Sequence, residues 1–190
     1  MFTSQEIKTN LLGCLEIVLF MPKGFERFEV TPKLAIQSFF LPIILLPFSM
    51  VVVVGLLPEF SPTLLISLAV LRVLISAVLF LSAVYFLVKQ FDRQEHFYKF
   101  IMISNWMNIA TFALLFPVVI SFLTGSDPDA FEVYVVFVEI IGYIYSAYIV
   151  TQCFKLPWEM GGFIAVVGLA INENLFDLTE YIRDALTVAA

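Results

Sequence analysis

Between Ser4 and Met21 the apolar residues Ile7, Leu11, Cys14, Leu15 and Val18 return at steps of three and four, with Glu6, Lys8, Asn10 and Glu16 between them. That period predicts an amphipathic helix. The stretch is too polar to cross a bilayer and suited to lie along its surface. Pro22 and Gly24 read as its stop, and a connector carrying Lys23, Arg27 and Lys33 follows. From residue 35 the pattern changes to long apolar runs. A spanning helix needs about 20 mainly apolar residues, and five runs meet that length: 35–57, 63–88, 99–123, 131–153 and 158–178. Pro42 and Pro47 lie inside the first, which predicts a kink there. A four-span count requires that proline-bearing segment to be re-entrant.

Composition removes the soluble alternative. The 190 residues are 61% hydrophobic and 14% charged, with a mean hydropathy of +0.99, whereas soluble domains carry about 25% charged residues. The net charge of −6 matters less than where the cations stand. Lys8, Lys23, Arg27, Lys33, Lys89, Arg93, Lys99 and Lys155 fall on one side of the predicted spans, and only Arg183 falls on the other. Basic loops stay in the cytoplasm. The expectation is an all-α, polytopic membrane helix bundle of five transmembrane helices, N-in and C-out, with an N-terminal amphipathic interfacial helix over 1–34 and a membrane domain over 35–190. The twelve-residue tail from Thr179 reads as a continuation of the last helix.

The scattered cations form no nucleic-acid face, so the expected partners are the lipid bilayer and other membrane subunits or a second copy. Cys14 and Cys153 both fall on the cytoplasmic side and read as apolar fillers, not a disulfide. His96 sits in a polar loop. Asp127-Pro128-Asp129 lacks the glycine and terminal glutamate of a calcium loop and reads as a turn. No nucleophile–base set, phosphate loop or metal-ligand spacing occurs, so neither an enzyme nor a cofactor nor a metal is expected.

Ionisable residues within spans are the default place to look for function. Counting inward from the span ends puts Arg72, Glu139 and Asn108 near one depth. That predicts an intramembrane Arg72–Glu139 pair completed by Asn108 and Asn105, with Asn172 and Glu173 as competing partners for the arginine. Such a cluster serves either as a register-fixing contact between helices or as part of a solute pathway. Gly161, Ala165 and Gly168 form a small-residue stripe suited to close helix packing.

The layout resembles the Yip1-type membrane domain and is similar to small inner-membrane proteins of alphaproteobacteria. The resemblance is carried by Phe28 through Pro42, by Phe100 through Trp106 with its Asn105-Trp106 pair, and by the apolar fifth span after Lys155. The long cytosolic domain and the acidic-Leu-Tyr-Gly motif of the eukaryotic branch are absent, so its trafficking roles do not carry over. The resemblance implies a fold and a bacterial inner membrane, and brings no activity with it. The function expected is that of a membrane-organising or accessory scaffold subunit working through helix and lipid contacts. The alternative is a small-solute transporter or channel using the Arg72–Glu139–Asn108 level.

Overall fold

The computed structural model describes residues 2–57, 59–124 and 131–188; the Asp127–Asp129 turn lies outside them. Every element among the described residues is helical: α1 (Ser4–Val18), a 3-10 turn (Pro22–Glu26), α2 (Pro32–Ser38), α3 (Phe40–Leu56), α4 (Pro62–Lys89), a short 3-10 segment (Gln94–His96), α5 (Phe97–Thr124), α6 (Glu132–Phe154) and α7 (Trp158–Val188). Five stretches are long and apolar enough to cross a membrane, Pro32–Gly55, Pro62–Lys89, Gln94–Ser121, Val133–Phe154 and Trp158–Thr187.

Prolines shape the spans as their chemistry requires. Pro42 has no N–H for the Ser38 carbonyl and its ring crowds that carbonyl, so the first span breaks at Phe39 between α2 and α3. Pro47 stays inside α3 and Pro117 inside α5. One residue past the Ala113 carbonyl that Pro117 leaves without its helical donor, the Tyr134 hydroxyl of α6 donates to the Leu114 carbonyl at 2.6 Å, which ties α6 to α5 at that turn.

The helices close into a ring. α3 packs on α5 and α4, α4 on α7, α7 on α6, and α6 on α5. Call the end bearing Lys33, Lys89, Lys99 and Lys155 the near end. The connected core lies there, from Phe100, Trp106, Val84, Val88, Phe154 and Ile164, all essentially sealed from solvent. Small residues let α7 approach its neighbours. A Cβ at Gly161 would meet the Thr151 hydroxyl and the Ala147 carbonyl oxygen of α6, the latter at 2.5 Å, and one at Gly168 would meet the Phe80 ring of α4 at 2.9 Å. Ala165 is buried between these two positions.

The N-terminal segment shares this core. Cys14, Ile17, Phe25 and Phe28 belong to the same buried cluster as the spans. α1 ends in a Schellman closure, with Phe20 N–H donating to Ile17 and Met21 N–H to Glu16. This puts Phe20 in the left-handed region at φ 56°, a place normally taken by glycine. Its ring stacks on Tyr145 and lies tilted against Tyr148 of α6, which holds the strained turn. The stop therefore precedes Pro22 and Gly24. Gly24 has another use: a Cβ there would meet the Gly13 carbonyl at 2.7 Å, so the two glycines let the turn fold back onto α1. The pair Glu16–Arg27, joined through both Nε and Nη2, ties the same hairpin. The hydrogen bond from Arg27 holds the Glu16 carboxyl below its ordinary range.

Candidate functional site

Two groups of polar residues emerge, at opposite ends of the ring. At the near end Asn105 is buried and its Nδ2 donates to Ser38 Oγ at 2.9 Å; that hydroxyl donates in turn to the Ala35 carbonyl at 2.6 Å. Polar contacts of this kind between membrane helices are worth about 0.6 kcal/mol on average and up to about 1.7. This one locks α2 to α5 just before the Phe39 break. The next residue, Trp106, is 1% exposed and meets the Phe2 ring edge-on at 5.3 Å. Asn108 turns away: it is exposed and its Nδ2 donates to the carbonyls of Ser104 and Asn105 in its own helix.

At the far end Arg72 is half-buried with its guanidinium 5.1 Å from the centre of the Phe176 ring. Glu173 is the carboxylate whose charge acts on it. Glu139 is exposed, as are Asn172 and Glu173. The expected Arg72–Glu139 pair is not formed: none of the ion pairs among the described residues involves either side chain.

Helix register supplies the reason. Phe80 of α4 meets Gly168 of α7, and Arg72 meets Phe176, so α4 and α7 run antiparallel in step. On the other side of α7, Gly161 meets Ala147 and Thr151 of α6, which sets Glu139 level with about residue 171. Arg72 therefore sits about five residues, or about 7.5 Å, farther out than Glu139, and across α7 from it. Through the Phe100–Phe154 contact between α5 and α6, Asn108 comes level with about residue 164 of α7. That is about 18 Å below Arg72. The single polar level expected from the sequence divides into separate sites. An aromatic face supplies Arg72 with a cation–π contact, and its long stem lets the charge lean toward the far boundary.

Sequence periodicity leaves open which side of α1 packs on the bundle, and the structure gives it. Its apolar residues Ile7, Leu11 and Leu15 are exposed, with Leu15 at 56%. The side packed on the bundle is instead Asn10, Gly13, Cys14 and Ile17. Asn10 is 3% exposed, and its Nδ2 has no hydrogen-bond partner. The small residue at position 13 is the signal for this face, because only glycine permits the contact with Phe28 and Gly24.

Cys14 sits on that packed side, 5% exposed, and burial pushes its thiol up to about 12. The neutral thiol is unreactive, so N-ethylmaleimide at pH 8 is expected to leave Cys14 unmodified in the folded protein and to label it after denaturation. Peptide mass mapping reads the result; rapid labelling of the folded chain at this site contradicts the docked position of α1.

Two of the three segments that carry the resemblance, Phe28–Pro42 and Phe100–Trp106, meet at this near-end junction through Ser38 and Asn105. Comparison of the chain with family models, curated proteins and solved structures found no match.

Proposed function

We propose that this five-span protein sits with its N-terminus in the cytoplasm and organises membrane components by contact, as an accessory or scaffold subunit, and not by catalysis. The observation that carries this reading is the placement of α1. One end meets Trp106 of α5 through Phe2, and at the other Tyr145 of α6 donates its hydroxyl to the Val18 carbonyl at 2.8 Å. In the register of α5 and α6 these two anchors differ by three residues, about 4.5 Å of depth, along a helix about 22 Å long. α1 thus runs across the flank of the spans, parallel to a membrane plane set perpendicular to them. Leu11, Leu12, Leu15, Leu19, Phe20 and Met21 are all exposed, as an interfacial helix with lipid on its apolar side requires.

The basic side chains gathered at the same end support an N-in orientation, and the Yip1-like layout supports a bacterial inner membrane. The transporter alternative loses its main support with the division of the Arg72–Glu139–Asn108 level.

Native mass spectrometry of protein released directly from membranes tests the proposal. The wild-type chain is expected to carry bound phospholipid, and the triple variant Leu11→Glu, Leu15→Glu, Leu19→Glu is expected to lose it while remaining folded. A bare wild-type monomer, or a triple variant that retains the same lipid, overturns the reading.

A further inference from the structure

We propose that the far half of the helix ring encloses a vestibule, open at the far face and closed at the near one, that binds a primary ammonium. The inference goes beyond the contact role proposed above and does not depend on it. At the near end aromatic side chains fill the ring. Phe100 of α5 meets Phe80 of α4 across the ring and Phe154 of α6 beside it. Phe100 and Phe154, with Val84, Val88 and Ile164, are none of them more than 1% exposed, which closes the ring at this end. The space beyond is therefore a receptacle and not a pore.

Farther out the same helix stripes carry polar side chains. At about 100° per residue, Asn108 stands about 80° round α5 from Phe100 and about two turns beyond it. On α6, Glu139 stands about 60° from Phe154 and Tyr143 about 20°. The outer sides of both helices are fixed independently, because α1 lies across their flank. Trp106, which receives Phe2, is about 160° from Asn108, and Tyr148, which receives Phe20, is about 180° from Glu139. Asn108 and Glu139 therefore face the interior, and both are exposed there. Asn172 follows one turn after Gly168, which faces Phe80, and is exposed as well. In the register of the helices Asn108, Tyr143, Glu139 and Asn172 fall within about 12 Å of depth. Polar side chains at such depth that are open to solvent line a wet interior.

This interior offers acceptors and lacks donors to match them. Asn108 spends Nδ2 on the Ser104 and Asn105 carbonyls of its own helix, which leaves Oδ1 to accept. Among the described residues no hydrogen bond or ion pair engages Glu139 or the Tyr143 hydroxyl. Glu173 answers Arg72 through its charge, whereas Glu139 has no cation beside it, a costly state within a span. A primary ammonium brings three N–H donors, one for each of Asn108, Glu139 and Tyr143, and its charge offsets Glu139. The Tyr143 ring adds a face for the cation. A quaternary ammonium has no N–H to give. A metal ion finds no group of three ligating side chains among the described residues. By sequence the far connectors and helix ends carry Glu59, Asp127, Asp129, Glu132, Asp177, Glu180 and Asp184 against Arg183, and such a rim concentrates cations at the mouth.

Access is tested first, on the full chain in phosphatidylcholine nanodiscs. Asn108→Cys and Glu139→Cys are expected to react with a cationic, membrane-impermeant methanethiosulfonate. Phe137→Cys, about 160° round α6 from Glu139 and exposed on the lipid side, is expected to stay unmodified. Cys14 and Cys153 are buried and add no background. Failure at either interior position, or equal modification at Phe137→Cys, overturns the inference.

Binding is then measured by calorimetry on the unaltered chain with the chlorides of n-butylammonium, tetramethylammonium and sodium. Saturable binding of butylammonium is expected, with the other two at least about tenfold weaker. Glu139→Gln alters an exposed side chain that makes no hydrogen bond or ion pair, so it retains the fold. It is expected to weaken butylammonium by about tenfold or more, the worth of a hydrogen bond to a charged group. Butylammonium is also expected to slow the modification of Asn172→Cys, a readout that does not depend on heat. Equal binding of tetramethylammonium or of sodium, indifference to Glu139→Gln, or silence in both readouts overturns the inference.

Discussion

Replacing Phe100 by alanine is expected to lower the stability of the bundle by about 3 kcal/mol, the lower end of the usual range for a buried Phe→Ala change. Phe100 is 1% exposed and its ring meets Phe80 of α4, Phe97 of its own helix and Phe154 of α6 at centroid separations of 5.3–6.3 Å. Three helices of the ring therefore share one side chain. Lipid solvates an apolar ring far better than water does, which removes much of the transfer contribution. What remains is the cavity itself and the dispersion attraction that its lining forfeits. Helicity followed through titration with dodecyl sulfate measures the difference; a loss under about 1 kcal/mol contradicts the placement of the core at the near end.

A second large effect is expected at neighbouring glycines with opposite sign. Gly161→Ala puts a methyl against the Thr151 hydroxyl and 2.5 Å from the Ala147 carbonyl oxygen, whereas nothing lies within 4 Å of a Cβ at Gly162. The obstacle at 161 includes backbone, which cannot rotate aside, so α7 must move off α6 at a cost of about 1–3 kcal/mol. Gly162→Ala has only the gain in helix propensity, about 0.5–1 kcal/mol. The same detergent titration on both variants is decisive, and equal shifts for the two substitutions rule out the α6–α7 seam described above. Gly168→Ala is the intermediate case, since the Phe80 ring it meets can tilt.

The spans were legible because apolar run length is a strong signal, and even the break at Phe39 follows from Pro42 alone. The α7 continuation beyond residue 178 was also readable from the mild amphipathicity of the tail. Depth was not. Counting inward from loop residues assumes that helix ends coincide with membrane boundaries, but α4, α5 and α7 have 28, 28 and 31 residues, well beyond the about 20 a span needs. Offsets of several residues accumulate, and Arg72, Glu139 and Asn108 part company. The near-end junction was hidden for another reason. Asn10 reads as an ordinary polar position on an amphipathic helix, and only tertiary packing reveals that the polar and small-residue side of α1 is the one turned inward. Asn105 was singled out, but its partner Ser38 lies 67 residues away in sequence, and no local pattern connects them.

The length of α7 has a consequence for the thickness of the bilayer the protein can occupy. Its 31 residues extend about 46 Å against a hydrocarbon core of about 30 Å, while the 23 residues of α6 extend about 34 Å and match that core closely. Tilting alone would have to reach about 50° to hide α7, beyond the about 0–40° that membrane helices adopt. Its last turns, with Glu180, Arg183 and Asp184, must therefore stand clear of the acyl chains. Because the seam at Gly161 pins both helices at the near end, a change in thickness is absorbed at the far end, by how many turns of α7 are wetted. The molecule is thereby a sliding gauge with its zero at the basic face.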